Sequence, residues 1–360
     1  MMTSQRWSGG HVSSVLCAGV CCGSEQLMAT GAEGGEVTLW NHNGSPLSKL
    51  HVRGDGDITS VAFSPSSPCV LYASHGQSVS VLDPRNLKTT VTELRDVAEE
   101  EINSLSVNET GGVLVVADDS GVVTVIDTQL EKVTRTLRKH VNICSSVTFR
   151  PHRPQSLLSA GLDMQVMLWT LPKVRPLWSC SLQDGSVEGA GQMFNPPLAH
   201  CVDAASCGDV FACAAEDGCV HLLRVSADSR LRGRSVFKAH SQGVSQARFL
   251  NFMSHPYWLA TGGNDGLLAL WDLSEDAAAP LDNKMTARKK RSKARAKTPK
   301  SQMSTQEESE SETRTRVEPK LSLNHGDKVN WLCPAVLRGK PSLLVTDQSP
   351  ELSVYSLDKL

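Results

Sequence analysis

One phrase of about eleven residues recurs along almost the whole chain of 360 residues. Each copy starts with small residues, passes through an acidic or glycine turn and alternating apolar residues, and ends on a bulky side chain; the best copies are SAGLDMQVMLW and TGGNDGLLALW. The copies are 42, 44, 43, 54, 48 and 84 residues apart and end at Trp40, Leu82, Ile126, Trp169, Leu223, Trp271 and Tyr355. A repeated interval of roughly 42 residues predicts seven structural units.

Within each unit apolar and polar residues alternate, as in Val37-Thr38-Leu39, and Gly, Asp, Asn or Ser separates the runs. Helical periodicity is nowhere sustained. Units of this length hold about four short strands and cannot bury both faces of their sheet alone, so they stack around a common axis. The sequence therefore predicts an all-β protein, a single seven-bladed β-propeller.

A His precedes the bulky residue by 29 to 31 positions in four units, at His11, His140, His240 and His325, and His200 fits a shortened unit. This spacing resembles the WD-repeat family, whose members have a buried tetrad of His, Ser or Thr, Asp and Trp. Two units match that tetrad in full, at His140, Ser159, Asp163 and Trp169 and at His240, Thr261, Asp265 and Trp271. A His between an Asp and a hydroxyl also suits general-base chemistry. We favour a structural network, because buried polar groups need partners.

The other units depart from the tetrad. Their Asp position holds Gly34, Gly76, Ser120 or Ser349, and Asp217 accompanies Cys213 in the hydroxyl position. We expect the stability of these blades to rest more on apolar packing.

The two long intervals locate insertions around residues 183–197 and 275–320. The second holds 12 basic and 8 acidic residues and almost no large apolar side chain, so it cannot form a core. We predict blades one to six in residues 1–274, a disordered charged linker in 275–320 and the seventh blade in 321–360. The last unit lacks a fourth strand, which we expect the segment around Gln5-Arg6-Trp7 to supply, closing the ring.

The linker contains a basic run, Arg288, Lys289, Lys290, Arg291 and Lys293. Such runs serve as nuclear localisation signals or as contacts to nucleic-acid phosphates. A solvated linker whose charges keep it extended is an equally good interpretation. We expect the protein in the nucleus, the cytoplasm or both.

Composition narrows the class of protein. The formal charge is -2, no apolar stretch approaches the roughly 18 residues of a membrane span, and the 11 cysteines include no CxxC pair, which favours a reducing compartment. A zinc site is conceivable at Cys201, Cys207, Cys213 and Cys219 with His200 and His221. The spacing of six residues spreads these thiols over several strands, so we expect small buried cysteines, no metal and no cofactor.

The phrase Leu82-Asp83-Pro84-Arg85 closes the third strand of the second unit. The resemblance implies a candidate substrate receptor of cullin-four ubiquitin ligases, and among such WD-repeat receptors a Trp-Asp-x-Arg phrase at this place docks the ligase adaptor. Here Leu82 replaces the Trp, and an ordinary surface ion pair is an equal alternative. We therefore expect a monomeric, non-catalytic scaffold that binds proteins, with Asp83 and Arg85 as adaptor-docking residues. The alternative is a chromatin- or RNA-associated scaffold that uses the basic linker.

Overall fold

The computed structural model describes residues 4–21, 26–52, 54, 56–185, 195–226, 230–275 and 317–358. In this part of the chain 28 strands form seven four-stranded antiparallel sheets, each a blade of one ring. The prediction of an all-β, seven-bladed propeller is confirmed. We number each blade by the repeat unit that supplies its first three strands.

The first strand, β1 (Ser4–Trp7), belongs to blade seven. From the first strand to the fourth, blade one contains β2 (Val15–Val20), β3 (Met28–Ala32), β4 (Glu36–Trp40) and β5 (Pro46–His51), and blade two contains β6 (Ile58–Phe63), β7 (Leu71–His75), β8 (Ser78–Leu82) and β9 (Thr92–Leu94). Blade three contains β10 (Ile102–Val107), β11 (Val113–Asp118), β12 (Val122–Asp127) and β13 (Lys132–Arg138). Blade four contains β14 (Cys144–Arg150), β15 (Arg153–Gly161), β16 (Gln165–Thr170) and β17 (Trp178–Ser181). A 3-10 turn at Leu182–Gly185 follows β17.

The remaining blades are formed by β18 (Ala199–Ala204), β19 (Val210–Ala215), β20 (Cys219–Val225) and β21 (Leu231–Lys238); by β22 (Val244–Phe249), β23 (Trp258–Gly263), β24 (Leu267–Asp272) and β25 (Leu321–Asn324); and by β26 (Trp331–Leu337), β27 (Lys340–Thr346) and β28 (Leu352–Ser356) together with β1. No helix in the described ranges is long and apolar enough to cross a membrane.

The ring is closed in blade seven by pairing of β1 with β28. Ser4 lies opposite Tyr355 and Trp7 opposite Leu352. The Trp7 side chain is buried and its ring centroid lies 6.1 Å from that of Trp40. Closure by the N-terminal strand, predicted around Gln5-Arg6-Trp7, is therefore confirmed.

The predicted boundary of the last blade at residue 321 needs a correction. Leu321–Asn324 is not part of blade seven, because Leu321 pairs with Leu270 and Asn324 with Leu267 in blade six. A repeat unit begins with the outer strand of the preceding blade, so the long insertion lies between the third and fourth strands of blade six. Residues 276–316, which make up most of the predicted disordered linker of 275–320 and include its basic run, lie outside the described residues.

The apolar core lies between neighbouring blades. One cluster joins Val37 and Leu39 of blade one to Ile58, Leu71 and Leu82 of blade two, all at most 2% exposed. Trp40, Trp169 and Trp271 are among the largest fully buried side chains. Each blade thus buries its faces only against its neighbours, as expected for stacked repeats.

A belt of polar contacts connects the first strands of adjacent blades. Thr59, Asn103, Ser145 and Asn330 donate side-chain hydrogen bonds to the carbonyls of Ile102, Cys144, Ala199 and Val15 respectively. A second row receives backbone N–H donors of the next blade, at Ser60, Ser104, Ser146 and Asp203. This belt satisfies polar groups that face the central channel and fixes the register between blades.

Candidate functional site

The turn after β8 positions the predicted docking residues. The Asp83 carboxylate accepts a hydrogen bond from the backbone N–H of Arg85 at 2.9 Å. It also accepts two from the Arg85 guanidinium, Nε to Oδ1 at 3.0 Å and Nη2 to Oδ2 at 2.7 Å. The structure therefore brings Asp83 and Arg85 together as a two-pronged ion pair at the end of a strand.

The Asp in this turn has a structural role that other blades share. Asn41, Asp127 and Asp272, which follow the last bulky residue of their units, each accept the backbone N–H two residues later at 2.9 to 3.0 Å. A side-chain oxygen that caps its own turn in this way stabilises the local bend. The residue two positions later varies over the seven units: Asn43, Arg85, Gln129, Pro172, Ser226, Ser274 and Asp358. Blade two is thus distinguished by the Arg and not by the Asp.

The Arg85 side chain is 64% exposed and that of Asp83 is 25% exposed. Hydrogen bonds from Arg85 lower the pKa of Asp83, so the carboxylate is ionised at neutral pH. The loop is anchored behind this pair by Leu87, which is 1% exposed and whose carbonyl accepts a hydrogen bond from Ser48. A fixed turn therefore presents a largely exposed guanidinium.

In each of the two complete tetrads, the four side chains form a chain of hydrogen bonds within one blade. In blade four Trp169 Nε1 donates to Ser159 Oγ at 2.8 Å, Ser159 is 2.7 Å from His140 Nε2, and His140 Nδ1 donates to Asp163 at 2.9 Å. All four side chains are buried or nearly so. Burial opposes ionisation of Asp163, but the hydrogen bond from His140 lowers its pKa below the ordinary value.

Blade six repeats this geometry. Trp271 donates to Thr261 at 2.9 Å, Thr261 is 2.8 Å from His240 Nε2, and His240 Nδ1 donates to Asp265 at 2.9 Å. Burial lowers the pKa of His240, although its Asp265 partner opposes this shift. His240 is therefore held neutral between the hydroxyl of Thr261 and the carboxylate of Asp265. These hydrogen bonds connect the loop before β22 to the turn between β23 and β24.

Blade one departs from the tetrad in sequence, as noted above, but still contains a complete polar network. Trp40 donates to Thr30 at 2.7 Å, Thr30 is 2.6 Å from His11 Nε2, and His11 Nδ1 donates to Glu36 at 3.0 Å. Gly34 does occupy the Asp position, but the longer Glu side chain reaches back from two residues later. The acceptor in blade one therefore comes from a different position in the sequence, and the chain of hydrogen bonds is otherwise the same as in blades four and six.

Blade seven also keeps a buried His with a different acceptor. His325 Nε2 lies 2.8 Å from Asp347, and His325 Nδ1 lies 2.8 Å from the hydroxyl of Tyr355, which takes the place of the Trp. Burial opposes ionisation of Asp347, but hydrogen bonds from His325 and Ser349 lower its pKa to about 2. Ser349, which holds the Asp position in the alignment, is not the residue that receives His325.

The polar networks of blades two, three and five contain fewer side chains. His75 of blade two lies 3.0 Å from Ser80 Oγ, Asp118 of blade three accepts from Ser120 at 2.6 Å, and His200 of blade five lies 2.7 Å from Glu216. Cys213 in the hydroxyl position is fully buried, and burial raises its pKa well above the ordinary value.

The cysteines weighed as zinc ligands are spread over one blade. Cys201 and Cys213 are buried on β18 and β19, and Cys219 is partly buried on β20. Cys207 lies exposed in the turn between β18 and β19, so the prediction that it is buried is wrong. In the described residues no group of three or more His, Cys, Asp or Glu side chains is arranged to hold a metal.

The central channel has a cavity at each end. We call the end with the turn of Asp83 and Arg85 the lower face. The upper cavity measures about 310 Å³. Its lining includes one residue from the first strand of each blade or beside it, together with Gln246, Asn264, Lys328, Val329 and Trp331; the seven are Leu16, Thr59, Asn103, Ser145, His200, Ser245 and Asn330. The lower cavity measures about 340 Å³, and Trp331 borders both.

Comparison with known proteins agrees with this geometry. The family model described as WD domain, G-beta repeat matches residues 131–170 and 233–272, the two stretches that contain the complete tetrads. The chain is a seven-bladed β-propeller in which two of the repeats match the WD family model. It is 23% identical over 369 residues to the WD repeat-containing protein 53 homolog of Dictyostelium discoideum, an alignment that covers 97% of this chain and 93% of the relative. WD-repeat propellers in general bind other proteins, and the two matched repeats favour a protein-interaction scaffold for this chain.

Proposed function

We propose that this scaffold is a substrate receptor of a cullin-four RING ubiquitin ligase and docks the ligase adaptor through Asp83 and Arg85. In this role the protein is a monomer without catalytic residues, and it holds a protein partner elsewhere on the ring. The single observation that carries the proposal is the ion pair at the turn of blade two, where the Arg found in adaptor-docking phrases is present and largely exposed. The similarity to a WD repeat-containing protein 53 homolog supports it.

The ion pair prepares Arg85 for binding. An unrestrained Arg loses about 2 kcal/mol of rotamer entropy when it is immobilised, and a side chain already held in one orientation loses less. An interface Arg in a desolvated contact often contributes about 2 kcal/mol or more when measured by truncation. The turn of Asp83 therefore supplies orientation, whereas the guanidinium supplies the contact.

Blade two offers a matched control. Arg95 is 75% exposed and its Nε donates to Glu93, two residues away, at 2.9 Å. Arg85→Ala is expected to weaken co-purification of the adaptor more than tenfold, while Arg95→Ala leaves it unchanged. Both variants should keep the melting temperature of the wild type, because exposed ion pairs contribute at most about 1 kcal/mol.

Two further variants separate charge from geometry. Arg85→Lys keeps the charge but not the planar pair of donors, so it should also weaken docking. Asp83→Ala should weaken docking less than Arg85→Ala and lower stability slightly, because the turn loses its cap. If the wild-type protein does not bring down the adaptor, or Arg85→Ala binds as well as Arg95→Ala, the proposal is wrong.

The alternative scaffold on chromatin or RNA depends on residues 288–293, which lie outside the described residues. Removal of residues 284–300 separates the two functions. Salt-dependent retention on a nucleic-acid column that disappears with this deletion, together with unchanged binding of the adaptor by wild type and Arg85→Ala, would favour the alternative.

A further inference from the structure

The two channel cavities differ in how their polar groups are satisfied. In the upper cavity Thr59, Asn103, Ser145 and Asn330 all donate to backbone carbonyls of the adjacent blade, as parts of the belt described above. Ser245 donates to the carbonyl of Gly262 at 3.0 Å. Four of these side chains thus hold the ring, although Asn264 Oδ1 of the same cavity has no hydrogen-bond partner among the described residues.

The lower cavity contains a charged pair with incomplete hydrogen bonding. Arg248 Nη1 lies 3.8 Å from Asp203 Oδ1, beyond hydrogen-bond distance, and both side chains are 18% exposed. Arg248 Nε donates to Gln246 at 3.2 Å, and the guanidinium lies 4.8 Å from the ring centroid of Trp331. Among the described residues, the terminal amino groups of Arg248 have no hydrogen-bond acceptor.

Two serines that line the cavity with Arg248 are also donors with spare hydrogens. Ser104 Oγ and Ser106 Oγ each accept a backbone N–H at 3.3 Å, from Val147 and Phe149, which leaves their O–H groups to donate. No acceptor for these two hydroxyl hydrogens is found in the described part of the chain, and both residues line the cavity.

Asn251 completes the set. Its side-chain oxygen accepts from the backbone N–H of Ser206 at 3.1 Å, so its amide NH₂ is the group left to donate. The one acidic side chain on the cavity wall, Asp203, already accepts the backbone N–H of Phe249 at 2.8 Å. Among the side chains of Arg248, Ser104, Ser106, Asn251 and Asp203, spare donors therefore outnumber acceptors in a partly enclosed space of about 340 Å³.

We propose that this lower cavity binds a small oxyanion, a phosphate or carboxylate group, at the guanidinium of Arg248. A guanidinium presents parallel N–H donors that match two oxygens of such a group, and a cation–π contact with the Trp331 ring helps to hold it in place. Ser104 and Ser106 of blade three and Asn251 of blade six supply neutral donors. A site shielded from bulk water strengthens each of these contacts.

Replacement of Asp203 should change the affinity for the anion in the opposite direction from replacement of Arg248. Its carboxylate holds Arg248 in place but repels an incoming anion at short range, so it should limit affinity. Asp203→Asn keeps a side chain of the same size and removes that negative charge. Loss of Arg248 should therefore abolish binding, whereas loss of the Asp203 charge should strengthen it.

The test uses the full chain with all seven tryptophans replaced by 5-fluorotryptophan and observed by ¹⁹F NMR. Trp331→Phe assigns the Trp331 resonance. Sodium phosphate and sodium acetate are titrated separately against sodium chloride at constant ionic strength, so that general screening is the same in each sample. A saturable shift of the Trp331 resonance is expected with at least one of the two anions, and the anion that produces it identifies the preferred group.

Arg248→Gln should abolish the saturable shift, Arg248→Lys should weaken binding at least threefold, and Asp203→Asn should tighten it at least threefold. Arg95→Gln is the matched exposed control and should bind as the wild type does. Because Arg248→Gln leaves Asp203 without its partner and can impair folding, the double variant with Asp203→Asn provides a neutral cavity and should also show no saturable shift. The absence of saturation with both anions overturns the proposal, as does an Arg248→Gln that still binds or an Asp203→Asn that does not bind more tightly.

Discussion

Replacement of Asp265 by Ala tests how the His networks hold the blades. The carboxylate accepts four hydrogen bonds at 2.9 to 3.2 Å, from His240 Nδ1, the backbone N–H and hydroxyl of Ser241, and the backbone N–H of Leu267. Ser241 is exposed, so its groups can turn to water. His240 is 3% exposed and cannot.

The cost follows from the stranded donor. A buried donor left without an acceptor costs about 1 to 3 kcal/mol, and hydrogen bonds to a charged group are at the upper end of the range. We expect Asp265→Ala to lower the free energy of unfolding by about 3 kcal/mol, and urea denaturation followed by tryptophan fluorescence measures this change. At about 2 °C per kcal/mol, the melting temperature should fall by roughly 6 °C.

Blade seven supplies the matched pair of variants. Asp347, 1% exposed, receives His325, so Asp347→Ala should cost about as much as Asp265→Ala. Ser349 aligns with Asp265 in sequence, and its hydroxyl accepts a 3.3 Å hydrogen bond from the backbone of Glu351 and interacts with Asp347. Because Asp347 keeps His325 and the backbone N–H of residue 349 in Ser349→Ala, this variant should cost about 1 kcal/mol or less. The reasoning is refuted if Ser349→Ala is as damaging as Asp265→Ala, or if Asp347→Ala is as mild as Ser349→Ala.

Three further outcomes are expected. The folded pKa of Asp347 is about 2 and its ordinary value is 3.8, so the stability that its carboxylate contributes is present above pH 4 and is lost as the pH falls toward 2. The free energy of unfolding of the wild type should therefore fall by about 2 kcal/mol more than that of Asp347→Asn between pH 4 and pH 2. Urea denaturation at a series of pH values measures this difference. Limited digestion with trypsin should cut first between Arg288 and Lys300 and leave the two fragments associated on a sizing column, whereas early cuts within the blades would contradict this. If the basic run is an import signal, a fluorescent fusion should be partly nuclear and move to the cytoplasm when Lys289, Lys290 and Arg291 become Ala, and an unchanged distribution would leave it a solvated linker.

The number of blades and the closing strand could be predicted from sequence because both depend on long-range regularity. The interval between bulky residues determines the number of units, and the unpaired third strand of the last unit requires a partner, which Ser4–Trp7 provides. The two complete tetrads follow from the same spacing, since each polar partner stands at a fixed position on its strand or turn.

The substituted acceptors could not be predicted by position alone. Glu36 reaches His11 from two residues beyond the Asp position because its side chain is one methylene longer, and Asp347 reaches His325 from two residues before it. Alignment compares positions, whereas a hydrogen bond depends on where the oxygen lies. Only the requirement that a buried His have partners pointed toward an acceptor nearby.

The belt between blades was missed although its signal is present in the sequence. The first strands begin ITS, INS and CSS in blades two to four, with polar residues at the second and third places of each strand. Thr59, Asn103 and Ser145 are the members at the second place. A polar residue at a regular place on the innermost strand indicates a contact between units and not within one.

The strand Leu321–Asn324 completes blade six from beyond the long insertion, and β28 of the same stretch is covered by β1. The last 40 residues or so are thus held by two sheets whose other strands come from the first 275. Expressed as two separate polypeptides divided within the insertion, the halves would have to find each other before the ring could close. Closure would then be a bimolecular association whose extent depends on concentration, and the tether in the natural chain acts as a high effective concentration that makes it independent of dilution.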